Sequence, residues 1–132
     1  MNPTKNFSVA EMACKCDKCG HRADMTDEFM EKIQLLRDKL GVPLKVTSGF
    51  RCPDHNAEVS ATASRTGPHT TGQAVDFAVS RELAFKMTAV AYNLGFTGCG
   101  WKQHSDYQGR FVHLDTLPDA ERQPRPHSWS YK

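Results

Sequence analysis

The sequence lacks any long apolar run, and its charges are almost balanced. Its 132 residues include 17 basic and 15 acidic side chains, which gives a formal net charge of +2. The polar start at residues 1–6 is followed by no apolar segment, so we expect cytoplasmic synthesis without a signal peptide and no insertion into a membrane. We also expect no binding to nucleic acid, because a surface that follows phosphates needs a clear excess of basic residues.

The sequence has five cysteines, and this odd count argues against a fully paired set of disulfides. Three of the five lie close together, at Cys14, Cys16 and Cys19, and this spacing is typical of part of a zinc knuckle. Either His21 or Cys52 could supply the fourth ligand of a second, structural zinc. The alternative is that these thiols are small apolar side chains without a metal. A zinc knuckle that binds nucleic acid is a third interpretation, which the balanced charge disfavours.

The length of the chain suits one compact core, so we predict a single domain over residues 1–132 that acts as a monomer. No internal repeat or low-complexity linker divides it. The C-terminal stretch 117–132 is polar and rich in proline, which favours an extended flap that packs across the domain. Two aromatic residues of this flap, Trp129 and Tyr131, could border a cleft.

Helix and strand signals alternate along the chain. A capping-box pattern at 8–11, an apolar stripe between a threonine cap and a glycine at 26–41, a proline-led turn at 53–59 and a serine-led stretch at 80–95 predict helices. The predicted strands cover 44–48, 74–79 and 110–115, with a weaker strand near Trp101. Helices come first along the chain and strands mostly follow. This order predicts an α+β domain with a small, mainly antiparallel sheet flanked by helices.

The most informative segment covers residues 69–76 and reads HTTGQAVD, which separates His69 from Asp76 by a glycine turn and a predicted strand. A later strand contributes His113. Two histidines and one aspartate leave the fourth tetrahedral position of a zinc ion to water, which is typical of a catalytic site and not of a closed structural one. Asp115 shares a strand face with His113 and could orient it from behind. The pattern therefore predicts a metallohydrolase.

Three segments, taken in order, resemble the zinc D-alanyl-D-alanine carboxypeptidases, a family that includes phage L-alanyl-D-glutamate endolysins and is related to the hedgehog signalling domain. The segments are VTSGFRCPDHN at 46–56, HTTGQAVD at 69–76 and FVHLD at 111–115. The resemblance runs from Phe7 to Asp115. It implies a fold like that of the hedgehog domain and the D-alanyl-D-alanine peptidases.

The resemblance also implies roles for five residues. His69, Asp76 and His113 are the implied ligands of one catalytic Zn²⁺. Arg51, beside Ser48, is the implied anchor for a carboxylate or carbonyl of the substrate, which suits the planar fork of a guanidinium. The implied substrate is a peptidoglycan stem peptide, cut by a carboxypeptidase or an endopeptidase reaction. The implied place of action is the bacterial cell wall, with release during phage lysis.

The sequence departs from the resembled family beside two of these ligands. Many members have a serine two residues before the first histidine ligand, whereas here Gly67 and Pro68 precede His69. Several relatives carry a catalytic aspartate or glutamate three residues before the last ligand, and this chain has Arg110 there, three residues before His113. An arginine cannot accept a proton from water. A proton carrier must therefore come from elsewhere.

The nearest candidates for this carrier are His104 and Asp106 in the preceding loop, with Asp115 as a third. We predict His104 as the principal carrier, oriented by Asp106, because a histidine titrates near neutral pH. If none of the three reaches the metal-bound water, the domain would be a non-catalytic zinc-binding module that recognises the cell wall or forms part of a phage particle.

Overall fold

The computed structural model describes residues 1–132. Its helices are α1 (Val9–Met12), α2 (Asp27–Leu40), α3 (Pro53–Val59) and α4 (Arg81–Asn93), and its strands are β1 (Val46–Ser48), β2 (Ala74–Phe77), β3 (Gly98–Lys102), β4 (Phe111–Asp115) and β5 (His127–Ser130). Two 3-10 turns cover Pro68–Thr71 and Tyr107–Gly109. The predicted α+β class with a mainly antiparallel sheet is confirmed.

The five strands form one sheet in the order β1-β2-β4-β3-β5. All neighbouring strands are antiparallel except β3 and β5, which are parallel. β5 lies in the stretch 117–132, for which the sequence predicts an extended flap and no strand. This stretch adds the edge strand of the sheet, because its backbone pairs with β3 over residues 127–130.

The predicted starts of α2 and α4 hold, but only α2 has the expected side-chain cap. The Thr26 side chain accepts a hydrogen bond from the Phe29 backbone N–H at 3.2 Å, and Gly41 ends α2 in the left-handed region. Ser80 stands at the cap position of α4, but its side chain makes no capping hydrogen bond. Ser80 therefore stands at the predicted start of α4 without stabilising it through its side chain.

The apolar core lies between one face of the sheet and the helices α2 and α4. Buried strand residues of this face include Val75 and Phe77 on β2 and Val112 and Leu114 on β4. Side chains alternate along a strand, so the residues between them point to the other face. That face carries the candidate site. None of the helices is long and apolar enough to cross a bilayer.

Candidate functional site

His69, Asp76 and His113 meet on the sheet face opposite the core, and all three are buried. Their donor atoms lie within 4.8 Å of one another. Nε2 of His69 is 3.3 Å from Oδ1 of Asp76, and Nδ1 of His113 is 2.9 Å from the same oxygen. Zinc bonds of about 2.0–2.1 Å give a tetrahedron with edges of about 3.3 Å, so these separations suit one shared metal ion.

Strand register and one glycine turn produce this convergence. Asp76 on β2 lies directly opposite His113 on β4. His69 lies in the turn Pro68–Thr71, which Gly72 ends with a φ of +74°. A Cβ atom at Gly72 would lie 2.0 Å from the carbonyl oxygen of Asp24. Only glycine therefore lets the chain pass from the His69 turn into β2.

Each histidine has its second ring nitrogen next to an acceptor. Nδ1 of His69 is 2.8 Å from the Gly49 carbonyl oxygen, and Nε2 of His113 is 2.8 Å from Oδ2 of Asp115. Each of these contacts places the N–H on that nitrogen, which leaves the other nitrogen of the ring as the electron-pair donor for a metal. The geometry thus matches the predicted role of Asp115 in orienting His113.

Arg125 extends this chain of contacts and was not predicted from the sequence. Its Nε and Nη2 donate to the two carboxylate oxygens of Asp115 at 2.9 and 2.8 Å. A Cβ atom at Gly98 on β3 would lie 2.2 Å from Asp115, so glycine leaves room for this carboxylate. A buried aspartate needs a charged or hydrogen-bonding partner, and this requirement was the only sign in the sequence that a residue such as Arg125 exists. It could not identify a partner in the C-terminal stretch.

Strand β5 and the residue after it also place two aromatic side chains at the site. The ring of Trp129 packs against that of His113, with a distance of 5.4 Å between their centroids. Tyr131 packs against Phe111 at 5.0 Å, and both line the cleft. Burial raises the pKa of Tyr131 to about 12, so its hydroxyl remains a hydrogen-bond donor at neutral pH.

Without a bound cation, the site holds a proton between two carboxylates. Burial by itself lowers the pKa of His113, but hydrogen bonds to Asp115 and Asp76 outweigh burial and raise that pKa to about 9. Burial acts against ionisation of Asp76 as well, yet the neighbouring His69 and His113 hold its pKa well below the usual range. A divalent cation bound here would displace the proton from Nδ1 of His113 and would be attracted by the ionised carboxylates.

The three groups open into a cleft of about 440 Å³, which Arg51 also lines. Nε of Arg51 donates to the Ser48 hydroxyl and Nη1 donates to Oδ1 of Asn56, both at 3.2 Å. Nη2 lies 4.0 Å from Oδ2 of Asp76. The remaining N–H groups of the guanidinium are free to bind a ligand. Ser48 does not line the cleft, so the structure places it behind Arg51, where it holds the guanidinium.

The structure does not bring His104 and Asp106 to this cleft. His104 is exposed, with Nδ1 3.0 Å from the Ser105 hydroxyl and Nε2 3.2 Å from the Tyr131 carbonyl oxygen. These contacts hold the imidazole against the backbone at the end of β5, beside the cleft and not inside it. Asp106 is exposed at the start of the turn Tyr107–Gly109.

Arg110 is likewise remote from the candidate metal ligands. Its extended backbone continues the alternation of β4, so its side chain points to the face opposite that of His113. Its guanidinium stacks over the ring of Tyr107, 4.4 Å from the centroid, and it borders a groove with Phe85 of α4.

A family model described as Peptidase M15 matches residues 5–115. This stretch includes the three candidate metal ligands and Arg51. It ends at Asp115, so Arg125, which binds Asp115, lies beyond it, as does all of β5. No curated protein matches the chain.

Proposed function

Because the chain belongs to the peptidase M15 family, we propose that it hydrolyses a peptide bond in the stem peptides of bacterial peptidoglycan. Peptidases of this family are zinc-dependent metallopeptidases, which are hydrolases. The observation that carries the proposal is the presence of His69, Asp76 and His113 in one cleft with the guanidinium of Arg51. A metal site beside a fixed cation suits a short peptide that carries a carboxylate.

We assign Nε2 of His69, Oδ1 of Asp76 and Nδ1 of His113 as the zinc ligands. Two imidazoles and one carboxylate are a ligand set that zinc accepts in catalytic sites, and the opposite nitrogen of each ring is already satisfied. When bound there, zinc would supply an activated water and polarise the scissile carbonyl. Asp115 would hold the ring of His113 in the orientation that this ligand set needs.

Arg51 is the proposed substrate anchor. Ser48 and Asn56 each bind one edge of the guanidinium, so its plane is fixed before a substrate arrives. A preorganised planar fork can bind a carboxylate through two parallel hydrogen bonds, or a carbonyl oxygen that gains negative charge in the transition state. The hydroxyl of Tyr131, on the cleft wall, is a second donor for the peptide.

The substrate assignment is tested with soluble stem-peptide fragments from purified cell walls. Zinc-loaded protein and chelated protein would be incubated with the fragments, and the products identified by mass spectrometry. Release of a terminal D-alanine would identify a carboxypeptidase, whereas cleavage between L-alanine and D-glutamate would identify an endopeptidase. Activity on ordinary peptides without activity on stem peptides would contradict the proposed substrate but not the peptidase class.

One observation favours a second candidate function, a non-catalytic module that binds the cell wall. Apart from the three proposed ligands, the titratable side chains that line the cleft are Arg51 and Tyr131, and neither is a base at neutral pH. Protein that releases no product from any fragment but sediments with insoluble peptidoglycan would support this module. Either function would operate at the bacterial cell wall, and we propose that phage lysis releases the protein to it.

The sequence and the structure differ on the proton carrier: the sequence favours His104, whereas the structure holds His104 outside the cleft. If His104 carried the proton, His104→Ala would lower turnover about 10²–10⁴-fold. Its contacts with Ser105 and the Tyr131 carbonyl keep it outside the cleft, so we expect a loss below about tenfold with zinc retained. Steady-state kinetics on the stem peptide would decide. A larger loss that removes the acidic limb of the pH profile would restore His104 as the carrier.

Arg125 is expected to act on zinc affinity through Asp115. Arg125→Ala should weaken zinc binding about 10–100-fold, because Asp115 would lose the partner that fixes its position behind His113. The measurement is a zinc titration against a competing chelator, with thermal unfolding of the metal-free protein recorded in parallel. Arg122→Ala is the matched control, since it removes an exposed arginine from the same stretch. Unchanged zinc affinity in Arg125→Ala would contradict this role.

A further inference from the structure

Four of the five cysteines form a second cluster outside the cleft. Cys14, Cys16 and Cys19 lie in the segment between α1 and α2, and Cys52 lies at the start of α3. Their sulfur atoms are all within 4.8 Å of one another, and none of them forms a disulfide. The fifth, Cys99, lies on β3 away from this cluster.

The spacing of the sulfur atoms suits metal coordination. Sγ of Cys16 is 3.6 Å from that of Cys14, and 3.5 Å from those of Cys19 and Cys52. A disulfide would need about 2.05 Å. Four thiolates around one zinc at about 2.3 Å would lie about 3.8 Å apart, so the cluster is close to the required tetrahedron without a rearrangement of the backbone.

Backbone N–H groups already point at two of the sulfur atoms. The Cys52 N–H donates to Sγ of Cys14 at 3.4 Å, and the His55 N–H donates to Sγ of Cys52 at 3.5 Å. Such donors offset the negative charge that accumulates when four thiols lose their protons to bind a cation. His21 does not belong to this cluster: its exposed ring lies outside the group of mutually close donor atoms, with Nδ1 3.1 Å from the Cys14 carbonyl oxygen.

We propose that Cys14, Cys16, Cys19 and Cys52 bind a structural Zn²⁺ that secures the segment before α2 to the loop that carries Arg51. All four positions are filled by protein, so this metal would have no open place for water and no part in hydrolysis. The segment 13–26 contains no helix or strand, and a metal crosslink would supply order that regular secondary structure does not supply there.

The position of Cys52 gives this metal a consequence for the cleft. Cys52 follows Arg51 directly, and the Phe50 N–H donates to the Met12 carbonyl oxygen at 2.8 Å, which joins the same two parts of the chain. Loss of the metal would leave this contact and apolar packing to hold the loop. We therefore expect a cysteine variant to bind substrate more weakly through Arg51, in addition to being less stable. This consequence depends on the proposed function, whereas the metal site does not.

The test measures the number of zinc ions per chain in protein purified under reducing conditions. Wild type should hold about two zinc ions per chain, and Cys19→Ser and Cys16→Ser should each hold about one. Cys99→Ser is the matched control and should keep both. His113→Ala should keep the zinc of the cysteine cluster, so failure of the cysteine site and failure of the catalytic site give different patterns.

A second measurement uses the wild-type chain and does not depend on how a variant folds. Cobalt bound to four thiolates gives intense sulfur-to-metal charge-transfer absorption, which the histidine and aspartate site cannot produce because it has no sulfur ligand. We expect these bands in cobalt-loaded wild type and in Cys99→Ser, and release of the metal when a mercurial reagent blocks the thiols. Absence of the bands, iron in place of zinc, or disulfides among these four cysteines in freshly purified protein would overturn the proposal.

Discussion

Replacing His113 with alanine is expected to abolish hydrolysis and to remove about one zinc ion per chain. The variant would leave His69 and Asp76 as the only protein ligands, and two ligands hold zinc far more weakly than three. The loss of affinity should exceed the roughly 10–100-fold effect expected for a partner that only orients a ligand, such as Arg125. Zinc content after dialysis and turnover of the stem peptide are the two measurements.

His69→Ala provides an independent version of this experiment. His113 is buried between two carboxylates, and its removal leaves Asp115 and Asp76 without a shared partner, so His113→Ala is also expected to be less stable. His69 bridges no two carboxylates: its ring contacts the Gly49 carbonyl oxygen, the Ser48 hydroxyl and one carboxylate, that of Asp76, so its loss should disturb the sheet less. His127→Ala, which removes an exposed imidazole from β5, should keep both zinc and activity. A folded His69→Ala or His113→Ala protein that retains the full zinc content would contradict the ligand assignment.

Arg51→Ala is expected to retain zinc and to lose turnover about 10²–10³-fold, the range seen when one donor to a developing negative charge is removed. Arg51 contacts no metal donor closely, because its nearest approach to Asp76 is 4.0 Å. Zinc content should therefore equal that of the wild type. Arg51→Lys should recover little activity, since a point charge cannot bind Ser48, Asn56 and a substrate oxygen together as the guanidinium can.

Arg65→Ala is the matched control for Arg51→Ala. Arg65 pairs with Asp54 on the protein surface and does not line the cleft, so its loss should change neither zinc content nor turnover. Separate determination of kcat and KM would show whether Arg51 binds the ground state, the transition state or both. Full activity in Arg51→Ala would contradict the assignment of Arg51 as the substrate anchor. Loss of zinc in the same variant would contradict the expectation that Arg51 does not support metal binding.

The candidate metal site could be predicted from the sequence because local rules place its three residues. A glycine turn before β2 and strand alternation on β2 and β4 set the directions of the His69, Asp76 and His113 side chains, and the pairing of β2 with β4 then brings them together. The same rules indicated that Asp115 shares a face with His113, which the 2.8 Å contact between them bears out. The long helix α2 could also be predicted from the sequence, since its threonine cap, apolar stripe and terminal glycine are all local signals.

The positions of the loop residues His104 and Asp106 could not be predicted from these local rules. His104 and Asp106 are close to His113 in sequence and are residue types that can carry a proton, yet the path of the loop from β3 to β4 holds His104 against the end of β5. Proximity along the chain does not determine which way a loop folds, because its course depends on contacts with a distant segment. Arg110 illustrates the same limit, since the face to which its side chain points depends on the extended backbone before β4.

The sequence by itself determined the residue types of both candidate metal sites, the order of most helices and strands, and the alternation that separates core from site. Only the tertiary structure decided that Cys52, and not His21, joins the cysteine cluster, and that Arg125 and β5 adjoin the candidate site. The physical reason is the range of the interactions involved. Periodicity, capping and turn chemistry act within a few residues, whereas Cys52 and Arg125 are brought to their partners by the parts of the chain that pack between them.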